Sequence, residues 1–315
     1  MHACDSATID HDKYTSKRFR SQKAAYEVSR RRLWIAWLPD GKRLRLRDGP
    51  FDLILQAFGR PGDIAKAYDA AIAHMRESLE TETAALRAGA AARMSAAVLN
   101  FAGAHGMTPN CVATGAAADA VLAAMQAGAP LERAFVNNNG GIAFYLAEGQ
   151  SLTTGAMGRP EQHDLPQKIL LEWSCKARGI AMTGWAGKFP RLGIADAVFV
   201  TAGSAAMAEA AAKLIANATD LPGHPAIERV NANALEFGSE LGEREVTVGV
   251  APLQHADKAA ALAAGTALAS GLRAGGLIED AALVVQGEIS VLCQKPVTRS
   301  RILGHHAEHT AGYPR

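Results

Sequence analysis

The sequence predicts an α+β fold in which strand pairs alternate with amphipathic helices, and three observations support that prediction. At 315 residues, 49% of them apolar, the chain can bury a substantial core. Over residues 63–86, apolar side chains recur at three- and four-residue spacing, which is typical of an amphipathic helix. Over residues 134–149, two short apolar runs flank an Asn-Gly turn, which indicates a β-hairpin. Paired strands and long helices in one chain favour α+β layers.

The N-terminal part is predicted to be an arm followed by a hairpin. Residues 1–28 are polar and aperiodic, so we expect a flexible arm or a segment that wraps a neighbouring subunit. From Leu33 to Arg47, apolar and polar residues alternate on either side of a turn at residues 39–41. This pattern predicts an antiparallel hairpin with one polar face.

Two further helices are predicted over residues 90–105 and 111–126. The second is rich in alanine, so its backbone can pack closely on a sheet. Gly115 would destabilise an exposed helix, which indicates either tight packing or a ligand phosphate near the start of this helix. The sequence leaves both alternatives open.

The second half of the chain again mixes strands with helices. Strands are predicted over residues 165–176, 178–182, 196–202, 246–250, 281–285 and 288–292, and helices over 205–218 and 256–273. We therefore predict a single domain over residues 29–295, built as two pseudo-halves that meet near residue 150. A C-terminal tail over residues 296–315 follows it.

Composition and charge exclude several classes of protein. No apolar run approaches the roughly 20 residues of a membrane-spanning helix, and the N-terminus lacks an apolar signal core. We therefore expect a cytoplasmic protein that does not contact membranes. A net charge of +2 is too small to favour nucleic acid as a partner. The four cysteines are dispersed, without CxxC spacing, and are predicted to be incidental thiols.

The Asn-rich turn is the first candidate binding site. Asn137, Asn138 and Asn139 bring amide donors and carbonyl acceptors, and Gly140 and Gly141 let another group approach the main chain closely. A plain hairpin turn explains the same residues. Both interpretations remain open from the sequence.

A second glycine-rich segment spans residues 179–193. It lacks the lysine of a nucleoside-triphosphate P-loop, because Trp185 follows Gly184. Thr183, Gly184, Trp185 and Lys188 could bind an anion and stack on a flat ring. The alternative is a structural turn with an exposed lysine.

Three further polar residues are candidates for chemistry. Asp196 lies among apolar residues, so it must cap a backbone group, pair with a cation such as Lys188 or Arg191, or face a cavity. On the predicted helix over residues 205–218, Glu209 and Lys213 form a polar stripe with Asn217 at four-residue spacing. An exposed Glu–Lys pair is the simpler explanation of that stripe.

Several segments resemble the UPF0280 family, whose members are distant relatives of the ApbE flavin transferases. They are WIAWLPDGKRLRLR, VNNNGGIAFYL, TGWAGKFPRLGIADAVFV, GSELGEREVTVGVAPL and VVQGEISVL. Together they cover residues 30–293 in order and at plausible spacing.

The resemblance implies an ApbE-like fold, with duplicated α/β layers and a ligand cleft between the halves. In the transferases such a cleft binds FAD and, with magnesium, passes FMN to a threonine or serine of a target protein. The magnesium-ligand pattern of the transferases falls on Ala208, Glu209 and Lys213, so an ammonium stands where an oxygen donor is expected. The family's GGD aspartate falls on Gly141, and the HxxDPxTG segment of true transferases is absent from this sequence.

We therefore expect a protein that binds a flavin nucleotide, such as FAD or FMN, or another planar anionic molecule, with magnesium doubtful. If it is a transferase-like enzyme, Asp196 or Glu209 is the candidate general base, and Lys188 or Lys213 stabilises the anion. The alternative is an accessory protein that kept the fold and lost metal-dependent chemistry. A homodimer is also expected.

Overall fold

The computed structural model describes residues 33–49, 51–80, 109–156, 167–185, 191–235 and 241–293. The predicted arm, the helix over residues 90–105, Lys188 and the C-terminal tail lie outside these ranges. The domain limits near residues 29 and 295 therefore stay predictions. No described helix combines the length and the apolar character needed to cross a membrane.

A large antiparallel sheet organises the described residues. Its nine strands stand in the order β1-β2-β3-β4-β5-β8-β9-β12-β13, with strands numbered along the chain. They are β1 Trp34–Trp37, β2 Leu44–Asp48, β3 Phe51–Phe58, β4 Arg133–Asn138, β5 Gly141–Leu146, β8 Gly179–Thr183, β9 Ala197–Ala202, β12 Asp280–Val285 and β13 Glu288–Leu292. Two small sheets pair β6 (Ser151–Ala156) with β7 (Gln167–Glu172), and β10 (Ile227–Asn231) with β11 (Glu245–Val250).

Helices cover one face of the large sheet. They are α1 Pro61–Glu80, α2 Ala113–Gly128, α3 Ala205–Ala218 and α5 His255–Ala274, whereas the short α4 Ala232–Leu235 contacts β10. A 3₁₀ turn over Pro109–Val112 leads into α2. The helix α2 packs between α1 and α3, and α3 packs on α5. Mixed helices and antiparallel strands confirm the predicted α+β class.

The core follows the alternation of side chains along the strands. Val136 and Ala143 face the helices, whereas Phe144 and Ile180 point to the other face of the sheet. There they form a separate apolar cluster with Leu171 of β7. Small alanine side chains dominate the buried face of α3, which lets its backbone lie close to the sheet and to α2.

The described elements follow one order twice along the chain. A strand pair (β2–β3), two helices (α1 and α2) and a hairpin (β4–β5) are followed by a second pair (β8–β9), the helices α3 and α5, and a hairpin (β12–β13). The two groups of strands join where β5 pairs with β8. The pairing of β5 with β8 therefore places the turn between β4 and β5 beside the end of β8.

The element predictions succeed where local patterns are strong. The predicted hairpins β1–β2, β4–β5 and β12–β13 and the helix over residues 205–218 are confirmed. The strand predicted over residues 165–176 is shorter, because β7 ends at Glu172 and a turn follows. Strands β3, β6 and β10 were not predicted.

Candidate functional site

Several of the predicted site residues lie at one end of the large sheet, where neighbouring strands begin or end. This end of the strands is called the sheet edge below. Strand β4 ends at Asn138 opposite Gly141 of β5, and Gly141 in turn pairs with Ala181 near the end of β8. Thr183 at the end of β8 pairs with Val198 near the start of β9. Because neighbouring strands are about 4.8 Å apart, the Asn-rich turn, Thr183, Trp185 and Asp196 occupy adjacent positions on this edge.

The Asn-rich turn is a tight two-residue hairpin. Asn139 has φ 51° and Gly140 has φ 98°, as a type I′ turn requires at both central positions. The backbone N–H of Gly140 donates to Asn137 Oδ1 at 3.2 Å, and Met182 N donates to the Gly140 carbonyl at 3.2 Å. The hairpin interpretation is therefore confirmed, and the end of β8 lies directly beside the turn.

Asn138 is a structural link rather than an exposed group. Its side chain is fully buried, at 0% exposure. Its Oδ1 accepts from the backbone N–H of Asp52 in β3 at 3.2 Å, and its Nδ2 donates to the carbonyl of Thr114 in α2 at 3.0 Å. Asn138 thus fixes the turn against the first turn of α2, while Asn139 is the exposed member of the segment.

The first turn of α2 is wedged between the hairpin and α3. A Cβ atom on Gly115 would lie 2.5 Å from the carbonyl oxygen of Ala205, and one on Gly141 would lie 3.1 Å from the backbone nitrogen of Gly115. These backbones can approach so closely only because both residues are glycine. Of the two explanations for Gly115, tight packing is the one that the structure shows.

Glu209 and Lys213 form a buried ion pair at this point. Lys213 Nζ lies 2.8 Å from Glu209 Oε1, and the two side chains are only 16% and 11% exposed. Thr114 Oγ1 donates to Glu209 Oε1 at 2.6 Å, and the backbone N–H of Gly115 donates to Oε2 at 2.7 Å. Lys213 Nζ also donates to the carbonyl of Cys111. The expectation of an exposed Glu–Lys pair is wrong, because α2 and the preceding 3₁₀ turn pack over it.

The carboxylate of Glu209, a residue of α3, also caps the N-terminus of α2. Val112, at the N-cap position of α2, makes no side-chain cap, and Glu209 accepts from Gly115 N in its place. Asp119 of α2 caps α3 in the same way. Its carboxylate accepts from Ala205 N at 2.9 Å and Ala206 N at 3.0 Å at the start of α3. Carboxylates at helix N-termini complete unsatisfied N–H groups and favour the helix dipole. The two helices therefore cap each other.

Arg191 joins this cluster from the loop before β9. Its Nε donates to Thr183 Oγ1 at 2.9 Å. Burial lowers the pKa of the guanidinium, while the nearby charges of Glu209 and Cys111 act in the opposite direction. The loop is held by Asn217 of α3, which accepts from Leu192 N at 3.2 Å. Sequence reasoning named Arg191 only as a partner for Asp196 and missed its place beside Thr183.

Asp196 has partners other than the predicted cation. Its Oδ1 accepts from the indole nitrogen of Trp185 at 3.1 Å, and its Oδ2 accepts from the backbone N–H of Gln286 at 2.5 Å. Gly184 lies against the same backbone, since a Cβ there would be 2.0 Å from the Asp196 carbonyl oxygen. Of the three roles predicted for Asp196, capping a backbone group is confirmed, whereas the alternative of pairing with Arg191 is not, because Arg191 turns to Thr183. Lys188 lies outside the described residues.

The donor set around Glu209 does not fit magnesium. Mg²⁺ requires oxygen ligands in near-octahedral geometry. Both oxygens of Glu209 already accept hydrogen bonds, and an ammonium lies 2.8 Å from one of them. Over the ranges that the structure describes, no three His, Cys, Asp or Glu side chains are grouped to hold a metal. The groups around Glu209 are thus an O–H donor, a backbone N–H donor and an ammonium, in place of the oxygen ligands that Mg²⁺ requires.

Comparison with known proteins identifies the family. A family model described as "AbpE bacteria" matches residues 35–291. No curated protein matches the chain. A solved structure, the apo form of the flavinyl transferase ApbE from Pseudomonas stutzeri, is similar over 89% of this chain and 100% of its own, at 12% identity. The TM-score of this match is 0.40. The family match alone covers most of the sequence, and this chain therefore belongs to the AbpE bacteria family, as a distant ApbE-like protein.

Proposed function

We propose that the protein binds a planar anionic small molecule at the sheet edge where β4, β5 and β8 end, with a flavin nucleotide as the first candidate. One observation carries the proposal. Two cationic side chains lie near Glu209: Lys213 pairs with it, and Arg191 is close enough for their charges to interact. Arg191 also donates to Thr183 at the end of β8, which lies beside the Asn-rich turn. Cationic groups fixed in a partly desolvated site favour an anionic ligand.

The neighbouring residues supply the other features that such a ligand needs. Asn139 at the turn and Thr183 provide polar groups for the rim of a heterocycle. The hydrogen bond from Trp185 to Asp196 holds the indole in one orientation, and an oriented aromatic ring suits stacking on a flat ligand. In this proposal, Asn137 and Gly140 shape one wall, with Asn138 and Gly141 behind them. Thr183, Gly184 and Trp185 form the other wall, and Lys188, which the sequence assigns to the same wall, lies outside the described residues.

The remaining question is whether the bound molecule reacts. For a transferase-type enzyme, Asp196 or Glu209 would act as general base and Lys213 would stabilise the anion. Each carboxylate oxygen of Asp196 and Glu209, however, already accepts at least one hydrogen bond. A general base must be able to accept a proton from the substrate. Glu209 is the less suited of the two, because its Oε1 accepts from both Thr114 and the Lys213 ammonium, and the second candidate function is a non-catalytic binding protein.

Titration calorimetry with FMN, FAD and small heteroaromatic acids tests the binding proposal. We expect saturable binding of at least one phosphate-bearing flavin, with riboflavin binding more weakly because it lacks the anion. No detectable binding of any of these ligands at millimolar concentration would rule the proposal out. Mass spectrometry of a threonine-containing target protein after incubation with FAD separates the two candidates, because only a transferase adds FMN to the target.

Three finer predictions accompany the proposal. We propose that the chain belongs to the UPF0280 branch of the ApbE relatives, that it acts in the cytoplasm, and that it forms a homodimer. The dimer is supported only by the alanine-rich helices and the N-terminal arm of the sequence. Sedimentation velocity tests it, since a single species at 33.1 kDa would exclude a stable dimer.

A further inference from the structure

We infer that the anion is bound without a divalent metal, because Lys213 and Arg191 supply the positive charge themselves. This inference rests on the proposed function and makes it more specific. The anionic group would be a phosphate or carboxylate that reaches the cluster formed by Thr183, Arg191, Glu209 and Lys213. It would enter from the edge that carries the Asn-rich turn.

Lys213 is positioned to donate to such a group. An ammonium has three N–H donors. Among the described residues, two of them are directed to Glu209 Oε1 and to the Cys111 carbonyl. These partners hold the side chain in one place, and its exposure of 16% leaves a limited opening to solvent. One donor is thus available to a ligand whose approach requires no reorganisation of the lysine.

Glu209 acts as the anchor of Lys213 in this arrangement. Its oxygens accept from Thr114 Oγ1, from the N–H of Gly115 and from the lysine. A divalent ion bound to Glu209 would have to displace both the helix donors and the ammonium. The charges of a divalent ion and of the Lys213 ammonium would repel each other strongly in this largely buried site. Lysine and metal therefore exclude each other here.

Arg191 adds a second cation, which donates to Thr183 and is close enough to Glu209 for their charges to interact. Two hydrogen bonds fix the backbone of its loop. Thr247 N donates to the Arg191 carbonyl at 2.8 Å, and Leu192 N donates to Asn217 Oδ1. A guanidinium is planar and matches the geometry of phosphate and carboxylate oxygens. Arg191 and Lys213 are thus two cationic groups whose N–H donors suit a phosphate or carboxylate.

The experiment compares FMN with riboflavin in buffers containing either EDTA or Mg²⁺. For the wild-type protein we expect the FMN dissociation constant to agree within about twofold between the two buffers. We expect FMN to bind at least about tenfold more tightly than riboflavin, which corresponds to about 1.4 kcal/mol. Lys213→Met and Arg191→Met should each remove most of this preference for FMN in both buffers.

Controls separate loss of binding from loss of structure. Because Lys213→Met leaves Glu209 without its cation, the double variant Glu209→Gln/Lys213→Met keeps an acceptor for Thr114 and should fold while still losing the preference. Lys258→Met, at a lysine near β13, should bind FMN like the wild type. Circular dichroism and the melting temperature report on folding for every variant.

The outcomes distinguish the inference from the proposed function. FMN binding that strengthens more than about tenfold on adding Mg²⁺ would overturn the inference and leave the proposed function standing. The same holds if the folded double variant still prefers FMN over riboflavin. Absence of binding of both flavins in both buffers would overturn the proposed function and, with it, the inference.

Discussion

Two hairpin turns at the same edge of the sheet share a backbone conformation and differ in their surroundings. The β4–β5 turn contains Asn139 and Gly140, and the β12–β13 turn contains Gln286 and Gly287. Among the described residues, Asn139 and Gln286 are the only non-glycine residues with positive φ, at 51° and 43°. Each turn lies beside the N-terminal end of a helix, α2 for the first and α5 for the second. Local geometry therefore does not distinguish them.

The difference lies in what each turn contacts. The side chain of Gln286 accepts from Leu253 N at 2.8 Å and donates to the Ala251 carbonyl at 2.8 Å, and its backbone N–H is taken by Asp196. Its polar groups are thus used within the protein. Asn139 is exposed at the tip of its turn and donates to Asn138 Oδ1 at 3.5 Å. Asn138 in turn donates to the carbonyl of Thr114, whose hydroxyl donates to Glu209 of the ion pair. The comparison teaches that a turn motif becomes a candidate site through the residues packed behind it.

The largest expected effect comes from removing the buried carboxylate. Glu209→Ala leaves Lys213 charged and buried and removes the acceptor for Thr114 and Gly115, so we expect a loss of about 3–5 kcal/mol in the free energy of unfolding. Glu288→Ala near the second turn removes a carboxylate that pairs with His255 and Lys258 at the surface, and it should have a much smaller effect. Urea denaturation measures both. Equal losses would contradict the contrast between the two turns.

A second prediction tests the close packing of α2 behind the first turn. Gly115→Ala places a Cβ atom 2.5 Å from the Ala205 carbonyl oxygen, so we expect a destabilisation of about 3 kcal/mol. Gly62→Ala, in the first turn of α1, meets no atom within 4 Å and should stabilise the protein by about 0.4–1 kcal/mol. Thermal denaturation of the two variants should shift the melting temperature in opposite directions. A Gly115 variant as stable as the wild type would show that α2 and α3 can move apart freely.

A third prediction concerns the carboxylate that links Trp185 to the second turn. In Asp196→Asn, an NH₂ group faces either the indole N–H of Trp185 or the backbone N–H of Gln286, and two donors cannot bond to each other. We expect a loss of about 1–3 kcal/mol in the free energy of unfolding. The fluorescence emission of Trp185 should shift to longer wavelength as the indole loses its partner. The Trp185→Phe variant shows which part of the emission comes from this residue. Asp69→Asn, on the exposed side of α1, is the control and should change neither quantity.

The smallest effect is expected at the tips of the turns. Asn139→Gly introduces a residue that also tolerates positive φ and removes an exposed side chain. The free energy of unfolding should therefore change by less than about 0.5 kcal/mol. Gln286→Gly also relieves positive φ but loses two hydrogen bonds to the backbone, and it should cost about 1–2 kcal/mol. If Asn139→Gly lowers FMN affinity without changing stability, the first turn contacts the ligand. An equal loss of stability in both variants would remove the distinction between the turns.

Much of the fold could be predicted from local sequence. The helix α3 has the predicted bounds because its apolar and polar positions follow a helical period over fourteen residues. The turn at Asn139 and Gly140 was predictable because few residue types tolerate positive φ at two successive positions. Strand β3 was missed, although its burial alternates as in other strands. Its pairing with β4 joins segments separated by more than seventy residues, which no local pattern reveals.

The sequence by itself determined that Glu209, Lys213 and Asn217 share one face of a helix, because four-residue spacing does so in any α-helix. Only the tertiary structure decided that this face is buried, that Glu209 caps α2 and that Arg191 lies beside Thr183. These contacts join α2, α3 and the loop before β9 across a hundred residues of chain. The physical reason is that the charge of a side chain follows from its type, whereas its burial and its partners depend on which distant backbones can approach, here through Gly115 and Gly141.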